Sequence, residues 1–377
     1  MVSPQSAAAD CESGDITGAC MALDAADVLD RSMDKVRLSW QSVITTGRRQ
    51  LRNVALVSEV SNPRVGRRTV APADLLAEYV AHLGIPGRHA PADIPCELCG
   101  STSATVVRER VDFGGGVRGM LPVVACDDCG FLFQNLRFPR EFHDLYDAIH
   151  SRPVSSDSTE SEEGDIAAQI EHGELLFGAL RRFLPSTGNL LAVGCSAVGM
   201  MVPFAKHGWR VLGIDKDHGR ARYGRDVLGL TVEVGSVEHI DLPADHYDLV
   251  MVGGSIECAY DPNEVLARCR RAAKMSSVLL LKSFGLAQAR REASLCHERR
   301  RYLTPVSAAL LMLKHGWTPI RTAVKGGKGA LKPDGLYALG RAGDQMPMSE
   351  LRRVIASGRQ EKPADLRRQL DAWGIQD

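Results

Sequence analysis

Two Cys-x-x-Cys-Gly elements, Cys96-Glu-Leu-Cys99-Gly100 and Cys126-Asp-Asp-Cys129-Gly130, constrain this chain more than any other feature. Two thiolates three positions apart on a tight turn can both face one ion. The glycine after each pair permits the left-handed backbone such a knuckle needs. Two knuckles supply four sulfurs, which matches tetrahedral Zn²⁺ with no open coordination position. A closed four-thiolate site is structural, so Cys96, Cys99, Cys126 and Cys129 are assigned no catalysis. The chain has ten cysteines, and its first residues, MVSPQSAAADCESGDITGAC, lack the basic start and apolar core of a secretion signal. Metal-bound or free thiols are therefore expected in place of disulfides. A redox or iron–sulfur role is weaker, because two symmetric knuckles offer no resolving cysteine. Nucleic-acid-binding ribbons share this spacing, so the ribbon alone leaves that partner open.

A length of 377 residues exceeds one typical core, so several domains are expected. The formal net charge of zero supplies no overall field to recruit nucleic acid or an anionic membrane. No run of about 18 apolar residues is present, and a cytoplasmic protein is expected. Residues 1–23 read as disordered. Residues 24–90 read as a helical segment, with Leu29, Met33, Val36, Trp40 and Val43 on one face and a second helix from Asp74 to His82. The ribbon spans 91–150, an acidic linker 151–166, an α/β domain 167–343 and a helical tail 344–377, with a tail helix from Pro363 to Gly374. Strands are expected at Asn189–Gly194, Trp209–Asp215, Leu230–Gly235, Tyr247–Gly254, Ser277–Phe284, Trp317–Val324 and Gly335–Ala342. Short apolar runs separated by helical stretches predict a parallel sheet covered on both faces, ending in an antiparallel hairpin at its edge.

The stretch GNLLAVGCSAVGMMVPFAKHGWRVLGIDKD reads as strand, glycine turn, helix, strand and acidic residue. The turn Gly194-Cys-Ser-Ala-Val-Gly199 keeps small residues where a ligand approaches backbone. Asp215 ends the second strand, where a carboxylate can take both ribose hydroxyls of an adenosine. Ser196 stands where a dinucleotide fold wants its middle glycine, which disfavours NAD. Together with LLAVGCSAVG, GWRVLGIDKD and LPADHYDLVMVGGSIECAYDPNEVLARCRRAAKMSSVLLLKS, the chain resembles class I S-adenosylmethionine-dependent methyltransferases across residues 189–342. The ribbon followed by CGFLFQNLRFPREFHDLYD resembles the ribbon that deoxysugar C-methyltransferases carry in front of that domain.

The resemblance implies a Rossmann-like, seven-stranded methyltransferase sheet preceded by a four-cysteine zinc ribbon and an N-terminal helical segment. It implies S-adenosylmethionine held by Gly194, Ser196, Gly199, Asp215 and the turn at Ser236, and a small-molecule substrate such as a secondary metabolite or a sugar-linked compound. Glu257 and Tyr260, with Ser255 and Ser283, fall near the methyl group. His297 is the candidate general base, since its ordinary pKa lies near working pH. Arg299 and Arg301 are candidate contacts for an anionic substrate, a diphosphate or a carboxylate. Neither a nucleic-acid nor a membrane partner is expected. Several positions depart from the family's pattern. Ala192 and Ser236 replace acidic residues. Val198 replaces a glycine and, being β-branched, resists positive φ, so the turn must differ or be strained. These departures define the alternative, a non-catalytic interaction protein on the same fold.

Overall fold

The computed structural model describes residues 80–81, 83–87, 89–109, 111–112, 118–119, 121–150, 160–194, 198–283, 299–323 and 335–358. The expected disordered start, the helix at Leu29–Val43, most of the helix at Asp74–His82 and the tail helix at Pro363–Gly374 lie outside them.

The ribbon contributes β1 (Ala104–Arg108), a short hairpin of β2 (Val111–Asp112) and β3 (Arg118–Gly119), then β4 (Val123–Cys126) and β5 (Leu132–Gln134). Helix α1 (Arg140–His150) follows. Helix α2 (Glu160–Leu180) begins inside the stretch expected to be linker. Its downstream residues Ile166, Ile170, Leu176, Phe177 and Leu180 pack on one core cluster, and that anchoring extends the helix back into the polar run.

The main sheet is built from β6 (Asn189–Val193), β7 (Arg210–Asp215), β8 (Thr231–Val234), β9 (Tyr247–Gly253) and β10 (Ala273–Ser283). Between them lie α3 (Val202–Lys206), α4 (His218–Asp226), α5 (Ser255–Cys258) and α6 (Pro262–Ala272). Strand β11 (Arg301–Tyr302), helix α7 (Pro305–Lys314), β12 (Trp317–Ala323), β13 (Leu336–Ala342) and α8 (Met348–Ser357) complete it. The helix starts follow the chemistry of their caps. The Asp217 side chain accepts from the Arg220 N–H, the Asp261 side chain from the Asn263 N–H, and Thr304 with Ser307 closes a capping box before Pro305.

Seven strands lie in the order β12-β13-β10-β9-β6-β7-β8. All neighbours from β8 to β10 are parallel, while β13 runs antiparallel to both β10 and β12. The expected hairpin is therefore present, but its second strand is inserted between β10 and the edge strand β12. Alternation divides the central strands between two cores. Leu191, Val193, Val250, Val252, Leu279 and Leu281 enter one cluster, and Leu190, Ala192, Leu249, Met251, Val278 and Leu280 enter the other.

The ribbon strands form a second sheet, β1-β4-β5-β11, in which Arg301 pairs with Phe133 and Tyr302 with Leu132. A segment that follows β10 in the chain thus completes the ribbon. The four ribbon cysteines, Phe131 and Phe133 share the core cluster of Val250 and Leu279, so ribbon and main sheet have one core in common. Among the described residues no helix is long and apolar enough to cross a membrane.

His315, at the end of α7, is buried with its Nε2 3.0 Å from Asn263 Oδ1. Burial, aided by the neighbouring Lys314 charge, pushes its pKa down to about 4. The unfolded chain binds a proton between about pH 6.5 and 4 that the folded chain refuses, so stability falls as pH drops through that window. Thermal melts should show a Tm that declines from pH 6.5 to 4, and a shallower decline in His315→Asn.

Candidate cofactor site and metal centre

The C-terminal ends of the parallel strands open onto a cavity of about 600 Å³, counted with its open mouth. Its lining comes from β6 and the turn after it (Ala192, Val193, Gly194), from β9 and beyond (Met251–Gly254), from Leu280 and Lys282 of β10, and from Leu176, Met200 and Met201. Gly194 has φ +64° and Gly254 φ +66°, backbone states that glycine reaches without strain. A Cβ at Gly254 would meet no atom within 4 Å, so the site keeps open space there.

The expected cofactor residues separate in this structure. Gly194 lines the cavity. Asp215 is buried at the end of β7, where its Oδ1 accepts from the Asp217 N–H at 2.8 Å. Burial, the largest influence, pushes its pKa up. Ser196 lies outside the described residues. Gly199 is buried under α2, and its N–H donates to the Gln169 side chain at 3.1 Å. Val198 avoids the feared strain, because it sits in a 3₁₀ turn with its side chain fully buried and without positive φ. Ser236 Oγ is 3.1 Å from Glu238, a buried carboxylate that also meets Arg140 at 3.1 Å and the Asp261 N–H at 3.2 Å. Sequence reading missed Glu238, although it stands two positions beyond the serine that replaces an acidic residue.

Of the expected catalytic residues, Glu257 is buried in α5 and accepts from Ser283 Oγ at 2.7 Å. Tyr260 lies under the Arg140 guanidinium, 4.4 Å from ring centre to carbon, with the His143 ring 5.6 Å away. Neither is among the residues lining the cavity. His297 lies outside the described residues. Arg299 is half-buried at the start of the described segment that leads into β11.

At the ribbon, the Sγ atoms of Cys96, Cys99, Cys126 and Cys129 all lie within 4.8 Å of one another and are buried. Cys96–Cys129 and Cys99–Cys126 are each 3.5 Å apart. A tetrahedral ion with about 2.3 Å metal–sulfur bonds needs sulfurs roughly 3.8 Å apart, so the four residues fit one metal ion. Gly100 and Gly130 have φ +78° and +70°, and their N–H groups close the knuckles on the Cys96 and Cys126 carbonyls at 2.8 and 2.9 Å.

Residues 191–281 match the family model described as "Methyltransferase domain". This segment is a methyltransferase domain. No curated protein matches the chain. Among solved structures, a methyltransferase from Thermotoga maritima, titled a possible histamine N-methyltransferase, is 17% identical, covers 48% of this chain and 94% of its own, and gives a TM-score of 0.38. The 1,6-didemethyltoxoflavin-N1-methyltransferase of Burkholderia thailandensis is also 17% identical, over 48% of this chain and 81% of its own, with a TM-score of 0.36. A methyltransferase from Aquifex aeolicus is 21% identical over 48% and 97%, with a TM-score of 0.37.

The methyltransferase domain and the ribbon meet through charge. Glu97, between two of the cysteines, pairs with Arg137 and with Arg301, whose Nε and Nη2 lie 3.0 and 2.8 Å from its two oxygens. The remaining Arg301 donors go to the carbonyls of Ile256, Glu257, Ala259 and Tyr260, at 2.6, 3.3, 2.8 and 3.3 Å. Arg301 is fully buried. Its expected role as a substrate contact is therefore corrected: every donor already has a partner inside the protein. Breaking a buried pair leaves an uncompensated charge and costs about 3–5 kcal/mol, whereas exposed pairs contribute about 0–1 kcal/mol. Urea unfolding should show Arg301→Met destabilised by about 3 kcal/mol or more. Asp147→Asn, which removes the partly exposed pair with Lys216, should change stability by less than about 1 kcal/mol.

Proposed function

We propose that this chain is an S-adenosylmethionine-dependent methyltransferase acting on a small molecule, with a structural Zn²⁺ in its ribbon. The observation that carries the reading is the cavity at the carboxyl ends of β6 and β9; Asp215, which ends β7, is not among its lining residues but stands one position beyond Ile214, the register partner of the lining residue Val193. Asp215 suits the ribose hydroxyls, and Gly194 with Gly254 allows a ligand to lie against backbone. When bound, the cofactor supplies an activated methyl group on a sulfonium. What remains for the protein is alignment and, where the acceptor carries a proton, its removal. We assign removal of a hydroxyl or α-carbon proton to His297, on a segment between β10 and β11, and orientation of an anionic acceptor to Arg299. Glu257 and Tyr260 are the next candidates. The metal is assigned as zinc on the four-thiolate donor set.

A second reading, a non-catalytic interaction protein, is favoured by Ala192 in the cavity wall and by the Gly199 N–H already engaged by Gln169. Calorimetry separates the two. On the enzyme reading wild type binds S-adenosylmethionine, and Asp215→Ala weakens binding at least about tenfold, the loss expected for a charge-assisted hydrogen bond. Equal binding by both proteins would move the pocket elsewhere, and no binding by wild type would support the second reading. Once an acceptor is found, His297→Ala should lower turnover at least about tenfold with cofactor affinity unchanged. Elemental analysis should find one zinc per chain, lost in Cys126→Ser/Cys129→Ser together with the ribbon's fold.

A further inference from the structure

The first cysteine knuckle is gripped from outside the ribbon. The Glu97 carbonyl accepts from Lys314 of α7 at 2.6 Å, and the Cys99 carbonyl from Arg352 of α8 at 3.4 Å. Leu98 is fully buried in the core cluster that also holds Val252, Ile256 and Leu281. The Glu97 carboxylate meets Arg301 at 3.0 and 2.8 Å, and Arg137 as well. Each residue from Cys96 to Cys99 therefore carries a metal-ligating sulfur or a contact that leads out of the ribbon. A metal on the four sulfurs supplies much of the energy that holds such a knuckle in shape. The position of Glu97 is fixed by that shape.

The contacts of Arg301 end at the cavity. Its Nη1 donates to the Ile256 carbonyl at 2.6 Å and to the Ala259 carbonyl at 2.8 Å. Both lie in or just after α5, a single turn that begins one residue beyond the lining residue Gly254. The same turn is tied to the end of β10. The Gly254 N–H donates to the Lys282 carbonyl at 2.9 Å, and the Glu257 carboxylate accepts from Ser283 Oγ at 2.7 Å. A four-residue helix cannot satisfy its own carbonyls, so its conformation depends on these outside donors. If Glu97 moves, Arg301 is left as a buried guanidinium without its carboxylate, a state that costs several kcal/mol, and it cannot be expected to keep its place. The knuckle and the turn beyond Gly254 are therefore bound to change together.

We propose that Glu97 is a positioning residue that couples metal held by the four ribbon cysteines to ligand binding in the cavity, so that each raises the affinity for the other. This rests on the methyltransferase reading above. Such coupling is reciprocal and typically amounts to about five- to 150-fold. The test is competition for zinc between the folded chain and a chelating dye, with and without S-adenosylhomocysteine at a concentration that saturates each protein. Wild type should hold zinc at least about fivefold more tightly with the ligand present. In Glu97→Gln, which keeps all four thiolates, the ligand should make no difference. Leu230→Ala serves as the control: it truncates a side chain buried in the other core cluster and absent from the cavity's lining, and it should keep the factor. Equal zinc affinity of wild type with and without bound ligand overturns the proposal and leaves the methyltransferase reading standing. So does a full factor surviving in Glu97→Gln, or an equal loss of it in Leu230→Ala. Folded wild type that takes up no zinc overturns the proposal alone, and folded, zinc-loaded wild type that fails to bind S-adenosylhomocysteine overturns both. The wild-type comparison uses no variant, so it decides even where Glu97→Gln does not fold.

Discussion

A carboxylate nearly sealed from water, Glu97, lies between two guanidinium groups, and the seating of the ribbon on the sheet depends on it. Burial alone would raise its pKa, but Arg301 and Arg137 outweigh that penalty and hold it at about 2. Such a triad adds little stability compared with apolar residues of the same shape, because desolvation offsets most of the attraction. What it contributes here is geometry. Its carboxylate has two oxygens to share between two planar forks, and each fork continues to backbone carbonyls of the methyltransferase domain. Because Glu97 lies inside the first cysteine knuckle, the turn that presents Cys96 and Cys99 is also the turn that fixes Arg301. Lys314 of α7 adds to this by donating to the Glu97 carbonyl at 2.6 Å.

The two faces of the main sheet serve different ends. On one face the ribbon sulfurs, Phe131, Phe133, α6, α7 and α8 fill a single core with Val250, Val252 and Leu279. On the other face α2 and the turn at Val198–Met201 pack against Ala192, Met251 and Leu280, which are the walls of the cavity. The contact there is close: a Cβ at Gly173 would fall 2.7 Å from the Met200 carbonyl oxygen, and one at Gly199 would fall 2.8 Å from Gln169. Small residues are therefore needed on both partners for α2 to lie over the turn. The glycine at 199, which sequence reading gave to a cofactor, is used for packing.

Much of this was legible in the sequence, because the signals were local. The seven strands, their parallel run and the double-glycine knuckles follow from short apolar runs and from spacing that only one backbone geometry allows. The inserted position of β13 was not legible, since antiparallel pairing of two neighbouring strands is satisfied equally well at the edge or one place inward. The start of α2 was misplaced because a polar, acidic stretch reads as linker until its downstream anchors Ile166 and Ile170 are seen on the core. The role of Arg301 was missed for a similar reason. An arginine beside Arg299 and Arg300 looks like a solvated or ligand-facing charge, and only the distant Glu97 makes its burial possible. Asp215, by contrast, lies where a strand-ending carboxylate should, because its position depends on β7 alone.

The path of the chain after β9 shows how far the site depends on its surroundings. Helix α5 is a single turn, and the last four carbonyls of any helix lack intrahelical partners, so a helix this short must find them elsewhere. The Glu257 carbonyl accepts from the Arg300 N–H at 2.8 Å, the Cys258 carbonyl from the Arg300 guanidinium, and the Ile256, Ala259 and Tyr260 carbonyls from Arg301. Arg137, from the ribbon, reaches the Tyr260 carbonyl as well, at 3.3 Å. Arg300 is itself buried against His143 of α1, and burial lowers its pKa to about 10, which leaves it charged at neutral pH. Residues 256–260 therefore owe their conformation to Arg300 just before β11, Arg301 on β11 and Arg137 between β5 and α1, which the pairing of β5 with β11 and the Glu97 carboxylate hold in place. These same residues follow directly from Gly253 and Gly254 at the cavity. The ribbon supplies none of the cavity's lining residues, yet ion pairs and capped carbonyls join it to the segment that follows the cavity's Gly253 and Gly254.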